Sequence, residues 1–125
     1  GPFIPASGTP FEESPAGSVE ATLRLLAIIR IIHPRVLLPA TTALGTLHPR
    51  GRERAVQAGA NVVMPNLSPQ DTRTLYAIYD NKLATGSEAA ESVADLRMRM
   101  EAIGYEVPVD RGDYAPAPTP CFEAN

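Results

Sequence analysis

Short apolar runs alternate with helical segments along this chain, and this alternation constrains its fold more than any other feature. Residues 36–38 and 61–64 form two such runs, which are typical of short strands covered on both faces. A strongly apolar helix is predicted over residues 19–32, before the first run, and a short helix over residues 52–58, between the two. Strands that alternate with helices predict the α/β class with parallel strands.

Capping residues and breakers set the ends of these elements. Ser18 is the predicted N-cap of the first helix, and Pro34 ends it because proline disfavours helical geometry in the residue before it. Apolar positions spread widely around this helix, so we expect most of it to be buried. Residues 45–51 are predicted to form a turn, and Gly59 is expected to end the 52–58 helix.

The second half of the sequence predicts two more helices. One begins at the N-cap Ser68 and runs to about Tyr79, and another covers about residues 87–103, ends at Gly104 and follows a capping box at Thr85. Residues 114–125 are rich in alanine and proline and predict a disordered tail. The last helix is expected to cover the wall of the barrel or sheet with four apolar side chains: Leu96, Met98, Met100 and Ile103.

The chain length limits how large this α/β unit can be. A complete eight-stranded barrel needs roughly 200–250 residues, so 125 residues supply about half of one. The alternative is a small open sheet of three strands, with Phe3-Ile4 as the end of the first strand. Such a sheet leaves its edges uncovered.

Composition excludes several classes of function. A net charge of −3 argues against nucleic-acid binding, which usually needs a basic face. The single cysteine, Cys121, excludes an internal disulfide and an iron–sulfur cluster held by several cysteines of this chain. The longest apolar stretch, residues 23–32, contains two arginines and falls short of the roughly 20 residues that span a bilayer. We therefore expect no nucleic-acid partner, no membrane partner, and a cytoplasmic location.

Ligands of α/β folds bind at the carboxyl ends of the strands, and three segments of this chain occupy such positions. They are residues 1–10, 39–46 and 64–66, each combining small residues and proline with hydroxyl or amide groups. Turns of this composition are also common without any ligand. His33 and His48 lack a second ligand at metal-binding spacing, so no metal site and no catalytic residue are predicted.

The same three segments resemble one known family. Residues 1–10 (GPFIPASGTP), 39–46 (PATTALGT) and 59–66 (GANVVMPN) resemble, in sequence and spacing, the carboxy-terminal part of the radical SAM [FeFe]-hydrogenase maturases of the HydE type. Shorter matches extend the resemblance over residues 1–113, which correspond to about the last third of a family member.

The resemblance implies the carboxy-terminal portion of a TIM-type (β/α)8 barrel. Phe3-Ile4 would end its sixth strand, residues 36–40 would form the seventh and residues 61–64 the eighth. Family members bind S-adenosylmethionine (SAM) and one [4Fe–4S] cluster, and they generate a 5′-deoxyadenosyl radical, here for assembly of the hydrogenase H-cluster. The substrate would be a small or organometallic molecule, and the partners would be other hydrogenase maturases.

Site residues follow from the resemblance position by position. Met64 and Tyr76 match places near SAM, and Thr41 and Thr42 match places that face the substrate or a bound anion. Weaker matches near the same cavity are Tyr79, Pro65 and Asn66. A methionine on an apolar strand is more often part of the core, although its thioether also packs well against an adenine or a sulfonium.

The sequence also departs from the family. The CxxxCxxC loop that holds the radical cluster is absent, so the chain is expected to be an inactive fragment when alone. Ala84, Ser92 and Asp95 stand where some members carry cysteines, so no accessory cluster is expected. The alternatives are a biotin synthase-like or methylornithine synthase-like enzyme, or a non-catalytic half-barrel interaction module. Half a barrel exposes sheet edges, which predicts that the isolated chain is aggregation-prone or molten.

Overall fold

The computed structural model describes residues 1–65, 89–109 and 112–114. The helix predicted to begin at Ser68, the capping box at Thr85 and the tail beyond Tyr114 lie outside these residues. The described elements follow in the order α1 (Val19–Ile32), β1 (Pro39–Ala40), α2 (Thr42–Leu47), α3 (Gly51–Gln57), β2 (Val62–Val63) and α4 (Ala89–Glu101).

Helix α1 has the predicted bounds, because polar groups close both of its ends. The Ser18 hydroxyl accepts a hydrogen bond from the N–H of Ala21 at 3.2 Å, which caps the first turn. Beyond the last turn, the guanidinium of Arg30 donates to the carbonyl of Pro34 at 2.6 Å and to the carbonyl of Gly59 at 2.8 Å. Arg30 therefore joins the end of α1 to the residue that follows α3.

The expected burial of α1 is wrong. Only Leu23 and Leu26 are buried in this helix, each 8% exposed. Leu25, Ile28 and Ile32 are apolar side chains that remain largely exposed. The periodicity identifies the helix correctly, but the described elements cover only one of its faces.

The two strands are parallel, as the α/β pattern predicts. Pro39 pairs with Val62, and Ala40 pairs with Val63. The prediction of a strand over residues 36–38 is wrong, because β1 covers only Pro39–Ala40, the end of the 36–40 range that the resemblance implies. The strand predicted over residues 61–64 keeps only its two middle residues in β2. The N–H of Leu38 donates to the side-chain oxygen of Asn61 at 2.8 Å, so a side chain takes the place of a backbone partner there.

Helix α2 corrects part of the prediction of a turn over residues 45–51, because only residues 48–50, between α2 and α3, lie outside the helices. Gly45 and Thr46 are typical turn residues, but Gly45 is buried and the Thr46 hydroxyl donates to the carbonyl of Thr42 at 3.2 Å. A β-carbon at Gly51 would collide with the carbonyl group of Leu44. The glycine at the start of α3 thus lets α2 and α3 approach closely, and this packing outweighs the local turn preference.

One apolar core joins the helices to the sheet. Leu44 is fully buried at its centre, and α4 adds Leu96 and Met100, which are 5% and 2% exposed. The predicted packing of α4 against the rest of the fold is confirmed for these two residues and for the partly buried Ile103, but it is wrong for Met98, which is 62% exposed. The remaining buried apolar residues are Leu23, Leu26, Leu38, Ala40, Ala55, Val56 and Ala60.

The first segment is irregular, so the prediction that Phe3-Ile4 ends a strand is wrong. The carbonyl of Phe3 accepts from the N–H of Gly17 at 2.8 Å, and this bond closes the loop that leads into α1. Gly1 lies against Thr41, at the carboxyl end of β1, where a β-carbon on Gly1 would clash with the threonine side chain. Among the described helices, none has the length and apolar character needed to cross a membrane.

Candidate functional site

Thr41 and Met64 come directly after the two paired strands. Because Ala40 pairs with Val63 in a parallel register, Thr41 and Met64 occupy the next position on each strand path. The carboxyl ends of parallel strands meet at one edge of a sheet, which is where α/β folds bind ligands. The structure therefore places two of the four predicted site residues at one edge.

The Thr41 hydroxyl is the unusual group at this edge. Thr41 is the N-cap residue of α2, with φ −71° and ψ 156°, yet its side chain makes no capping hydrogen bond. Its Oγ1 atom is buried and has no hydrogen-bond partner among the described residues. A buried hydroxyl without a partner costs about 1–3 kcal/mol, so a ligand group that reached it would recover that energy.

Thr42 is the first residue of α2 and is half-buried. Its carbonyl accepts the hydrogen bond from Thr46, so its backbone is fixed by the helix. The two adjacent threonines therefore differ in backbone conformation: Thr41 is extended, and Thr42 is the first helical residue of α2.

Met64 is 57% exposed, which argues against the core role that its apolar strand suggested. Its thioether side chain offers an apolar and polarisable surface beside Thr41. Pro65 is half-buried next to it. The other candidates, Asn66, Tyr76 and Tyr79, lie outside the described residues.

Residues 1–65, 89–109 and 112–114 hold no group of three histidine, cysteine or acidic side chains that suits a metal ion. His48 uses Nδ1 to accept the N–H of Arg50 at 3.0 Å, and His33 is the C-cap residue of α1. Oδ2 of Asp95 lies 3.8 Å from Nη1 of Arg99, and Arg99 is one helical turn further along α4. The side chain of Ser92, together with Ala84 and Cys121, is not described, so the expected lack of an accessory cluster stays a prediction.

A buried ion pair is the main polar feature that the sequence analysis missed. Glu53 of α3 is 6% exposed, and its Oε1 accepts from Nε of Arg99 at 2.7 Å. Arg99 also donates through Nη2 to the carbonyl of Pro49 at 2.9 Å, so one α4 side chain holds both ends of the 49–53 segment. No local signal reveals this pair, because its members are 46 positions apart.

Burial by itself would raise the pKa of Glu53. The hydrogen bond from Arg99, a backbone hydrogen bond at Glu53 and the charges of Arg99 and Arg50 outweigh that effect and hold this pKa below its ordinary value. The hydrogen bond and charge of Glu53 in turn raise the pKa of Arg99, against the opposing effect of burial. Both groups are therefore charged at neutral pH, and the pair fastens α4 to α3.

Comparison with known proteins identifies relatives over most of the chain. This chain is 38% identical over 112 residues to the [FeFe] hydrogenase maturase subunit HydE of Thermotoga maritima, and the match covers 90% of this chain and 32% of that protein. It is 31% identical over 121 residues to the 3-methylornithine synthase of Methanosarcina acetivorans, covering 97% of this chain and 31% of that protein.

A biotin synthase from Porphyromonas gingivalis is 30% identical over 106 residues, covering 85% of this chain and 27% of that protein. No protein-family model matches the chain. In each of these three matches, the chain spans only about a third of the relative's length. Over most of its own length, the chain is therefore similar in sequence to the radical SAM enzymes HydE, methylornithine synthase and biotin synthase.

Proposed function

We propose that this chain is the carboxy-terminal part of a HydE-like radical SAM enzyme that serves assembly of the [FeFe]-hydrogenase H-cluster. Its strands β1 and β2 would be the seventh and eighth strands of a (β/α)8 barrel, of which residues 1–113 form the carboxy-terminal part. The observation that carries the proposal is the position of Thr41 and Met64 at one edge of the parallel sheet. The higher identity to HydE than to the synthases supports the maturase assignment.

The residues at this edge suit SAM and a polar substrate. Met64 presents a largely exposed thioether side chain, which can pack against an adenine or a sulfonium without needing a hydrogen bond. The unpartnered Thr41 hydroxyl can donate to a carboxylate or another anion of the substrate. Thr42, fixed at the start of α2, would line the same cavity, and Tyr76 would contact SAM.

The described residues do not suit an iron–sulfur cluster, since they contain no group of potential ligands. We therefore assign the [4Fe–4S] ligands to the part of the enzyme that this chain lacks. Such a cluster, when reduced, would supply the electron that splits bound SAM into methionine and a 5′-deoxyadenosyl radical. The task of this chain is then to orient the substrate through Thr41 and Thr42 and to exclude water through Met64.

The remaining parts of the proposal follow from the same assignment. The substrate is a small or organometallic molecule, the partners are the other hydrogenase maturases, and the enzyme works in the cytoplasm.

A fusion protein tests the proposal. In this fusion, the chain replaces the residues of Thermotoga maritima HydE that it matches; we call it the fusion below. After anaerobic cluster reconstitution, and with dithionite as the electron donor, we expect the fusion to cleave SAM to methionine and 5′-deoxyadenosine and to support maturation of an [FeFe]-hydrogenase. In the fusion, Thr41→Val should lower turnover roughly 10- to 100-fold, the value of a hydrogen bond to a charged group, without altering the cluster spectrum.

Thr22→Val is the matched control, because the Thr22 hydroxyl bonds to the carbonyl of Ser18 on α1, away from the strand ends. Equal turnover in the two variants would remove Thr41 from the site. A fusion that cleaves SAM but never matures a hydrogenase would favour a synthase-like enzyme. A folded fusion that does not bind SAM would favour the interaction module.

A further inference from the structure

Asn61 is a polar residue at the end of the sheet away from the candidate site. It directly precedes β2, and its side-chain oxygen accepts a hydrogen bond from the N–H of Leu38 at 2.8 Å. Its backbone N–H donates to the carbonyl of Leu38 at 2.9 Å, and the N–H of Val62 donates to the same carbonyl at 3.1 Å. Asn61 therefore holds both backbone polar groups of Leu38.

The strand that Leu38 leads into has few backbone donors of its own. β1 contains only Pro39 and Ala40, and proline has no N–H. The N–H groups of Leu38 and Ala40 are therefore the two donors of residues 38–40. In a regular parallel pair, the N–H of Leu38 would bond to a backbone carbonyl of the neighbouring strand. Here it depends on the side chain of Asn61 instead.

The bond to Leu38 fixes how far along β2 the strand β1 lies. The pairing covers only two residues of each strand, Pro39 with Val62 and Ala40 with Val63. A shift of this register by one residue would move each side chain by roughly 3.3 Å and turn it to the other face of the sheet. A side-chain bond just before so short a pairing opposes such a shift.

This register decides the geometry of the candidate site. Thr41 and Met64 each follow a paired residue directly, so the pairing sets their relative position. The buried Thr41 hydroxyl can serve a ligand beside Met64 only if that position is kept. Asn61 is three residues before Met64, roughly 10 Å along an extended strand, and so lies at the opposite end of β2 from the site.

We propose that Asn61 is a positioning residue: its side-chain bond to Leu38 fixes the register of β1 on β2 and thereby places the Thr41 hydroxyl relative to Met64. This inference rests on the proposed function, since it takes Thr41 and Met64 as the residues that face the substrate and SAM. Asn61 contacts neither molecule and acts only through the two strands.

Substitution of Asn61 in the fusion tests this role. Asn61→Ala removes the acceptor, and because residue 61 is exposed, water can bond to the freed N–H of Leu38, so we expect the variant to fold. Asn61→Asp keeps an acceptor at the same place, and its added charge lies at an exposed position.

The two substitutions should differ in activity. We expect Asn61→Ala to lower turnover at least about tenfold and to raise the KM for SAM, because small displacements of positioned groups are costly. Asn61→Asp should keep both within about twofold of the unsubstituted fusion. The control is Thr22→Val, which also loses a side-chain bond to a backbone carbonyl, but on α1, and should change neither. Unchanged turnover in Asn61→Ala would overturn the proposal.

A double variant separates positioning from a general loss of stability. If Asn61 acts by placing the Thr41 hydroxyl, its removal matters little once that hydroxyl is absent. We therefore expect Asn61→Ala to lower the turnover of the Thr41→Val fusion by less than about threefold. Equal fold-losses with and without the hydroxyl would overturn the positioning role, as would a folded Asn61→Asp fusion that loses as much turnover as Asn61→Ala.

A structural readout distinguishes this inference from the proposed function. In the cluster-free fusion with labelled alanine and valine methyl groups, the nuclear Overhauser contact between Ala40 and Val63 reports the register, since these residues are paired. We expect the contact to weaken in Asn61→Ala and to persist in Asn61→Asp. That result in a fusion that never cleaves SAM would support the role of Asn61 in the register and remove the proposed function. A fusion that cleaves SAM and keeps the contact in Asn61→Ala would overturn only the inference about Asn61.

Discussion

The ion pair between Glu53 and Arg99 gives the most quantitative prediction, because its geometry fixes how α4 is held. Replacing Arg99 with methionine keeps much of the side-chain volume but removes the hydrogen bonds to Glu53 and to the carbonyl of Pro49. The Glu53 carboxylate then stays buried without its cation. Its second oxygen, Oε2, has no hydrogen-bond partner among the described residues even in the intact pair.

The expected cost follows from the burial of the two side chains. Removing one partner of a fully buried pair costs about 3–5 kcal/mol. The side chain of Glu53 is 8% exposed and that of Arg99 is 28% exposed, so water partly compensates on the arginine side. We therefore expect Arg99→Met to lower the free energy of opening of α4 by about 2–3 kcal/mol, which is at or just below the lower end of that range.

Hydrogen exchange of the α4 backbone amides in the fusion is the suitable assay, because it reports the local opening of a helix. A loss of 2–3 kcal/mol corresponds to exchange that is roughly 30- to 150-fold faster around Leu96–Met100. The matched control is Arg54→Met, which breaks the more exposed pair with Glu20, where the side chains are 34% and 61% exposed. That pair should contribute less than about 1 kcal/mol.

Two results would refute this reasoning. Exchange in Arg99→Met no faster than in Arg54→Met would mean that the buried pair does not hold α4. A double variant, Glu53→Gln with Arg99→Met, whose cost equals the sum of the two single costs, would mean that the residues do not interact. We expect instead that the double variant costs less than the sum, since glutamine needs no counter-charge.

Three further predictions concern the stability of the fold. Gly51→Ala should destabilise the fusion by about 2 kcal/mol or more, because the β-carbon would collide with the Leu44 carbonyl; thermal denaturation beside the unsubstituted fusion measures the loss, and an unchanged melting temperature would contradict it. Because the pKa of Glu53 is lower in the folded chain than its ordinary value of 4.5, this group stabilises the fold above that pH and loses its contribution as the pH falls through the lower folded value. Denaturation of the cluster-free fusion should therefore depend less on pH below 4.5 in Glu53→Gln, and an unchanged slope would contradict the assignment. The isolated chain should be aggregation-prone or molten, and a monomer with a sharp cooperative melt and dispersed amide signals would contradict that expectation.

The candidate site was predictable only in part. Strand ends are the usual ligand positions of an α/β fold, and that rule together with the family resemblance selected Thr41 and Met64 before the pairing was seen. The exposure of Met64 and the unpartnered hydroxyl of Thr41 could not be read from the sequence, since both depend on what packs around the strand ends. The roles of Thr41, Thr42, Met64 and Tyr76 toward a ligand all stay predictions.

The sequence by itself determined the features that local chemistry controls. Ser18 and Pro34 set the ends of α1, and Gly59 and Gly104, with φ values of 114° and 83°, follow α3 and α4 where glycine accepts left-handed geometry at little cost. The alternation of apolar runs and helices predicted the parallel pairing of β1 with β2.

The tertiary structure decided what depends on partners far along the chain. Residues 42–47 became helical because Gly51 lets α3 pack against Leu44, and each strand kept only the two residues that find a paired neighbour. The pairing of Glu53 with Arg99 and the exposure of Leu25, Ile28 and Ile32 on α1 have the same origin. A helix cap requires only neighbouring residues, whereas burial and ion pairing require a second element that the local sequence does not specify.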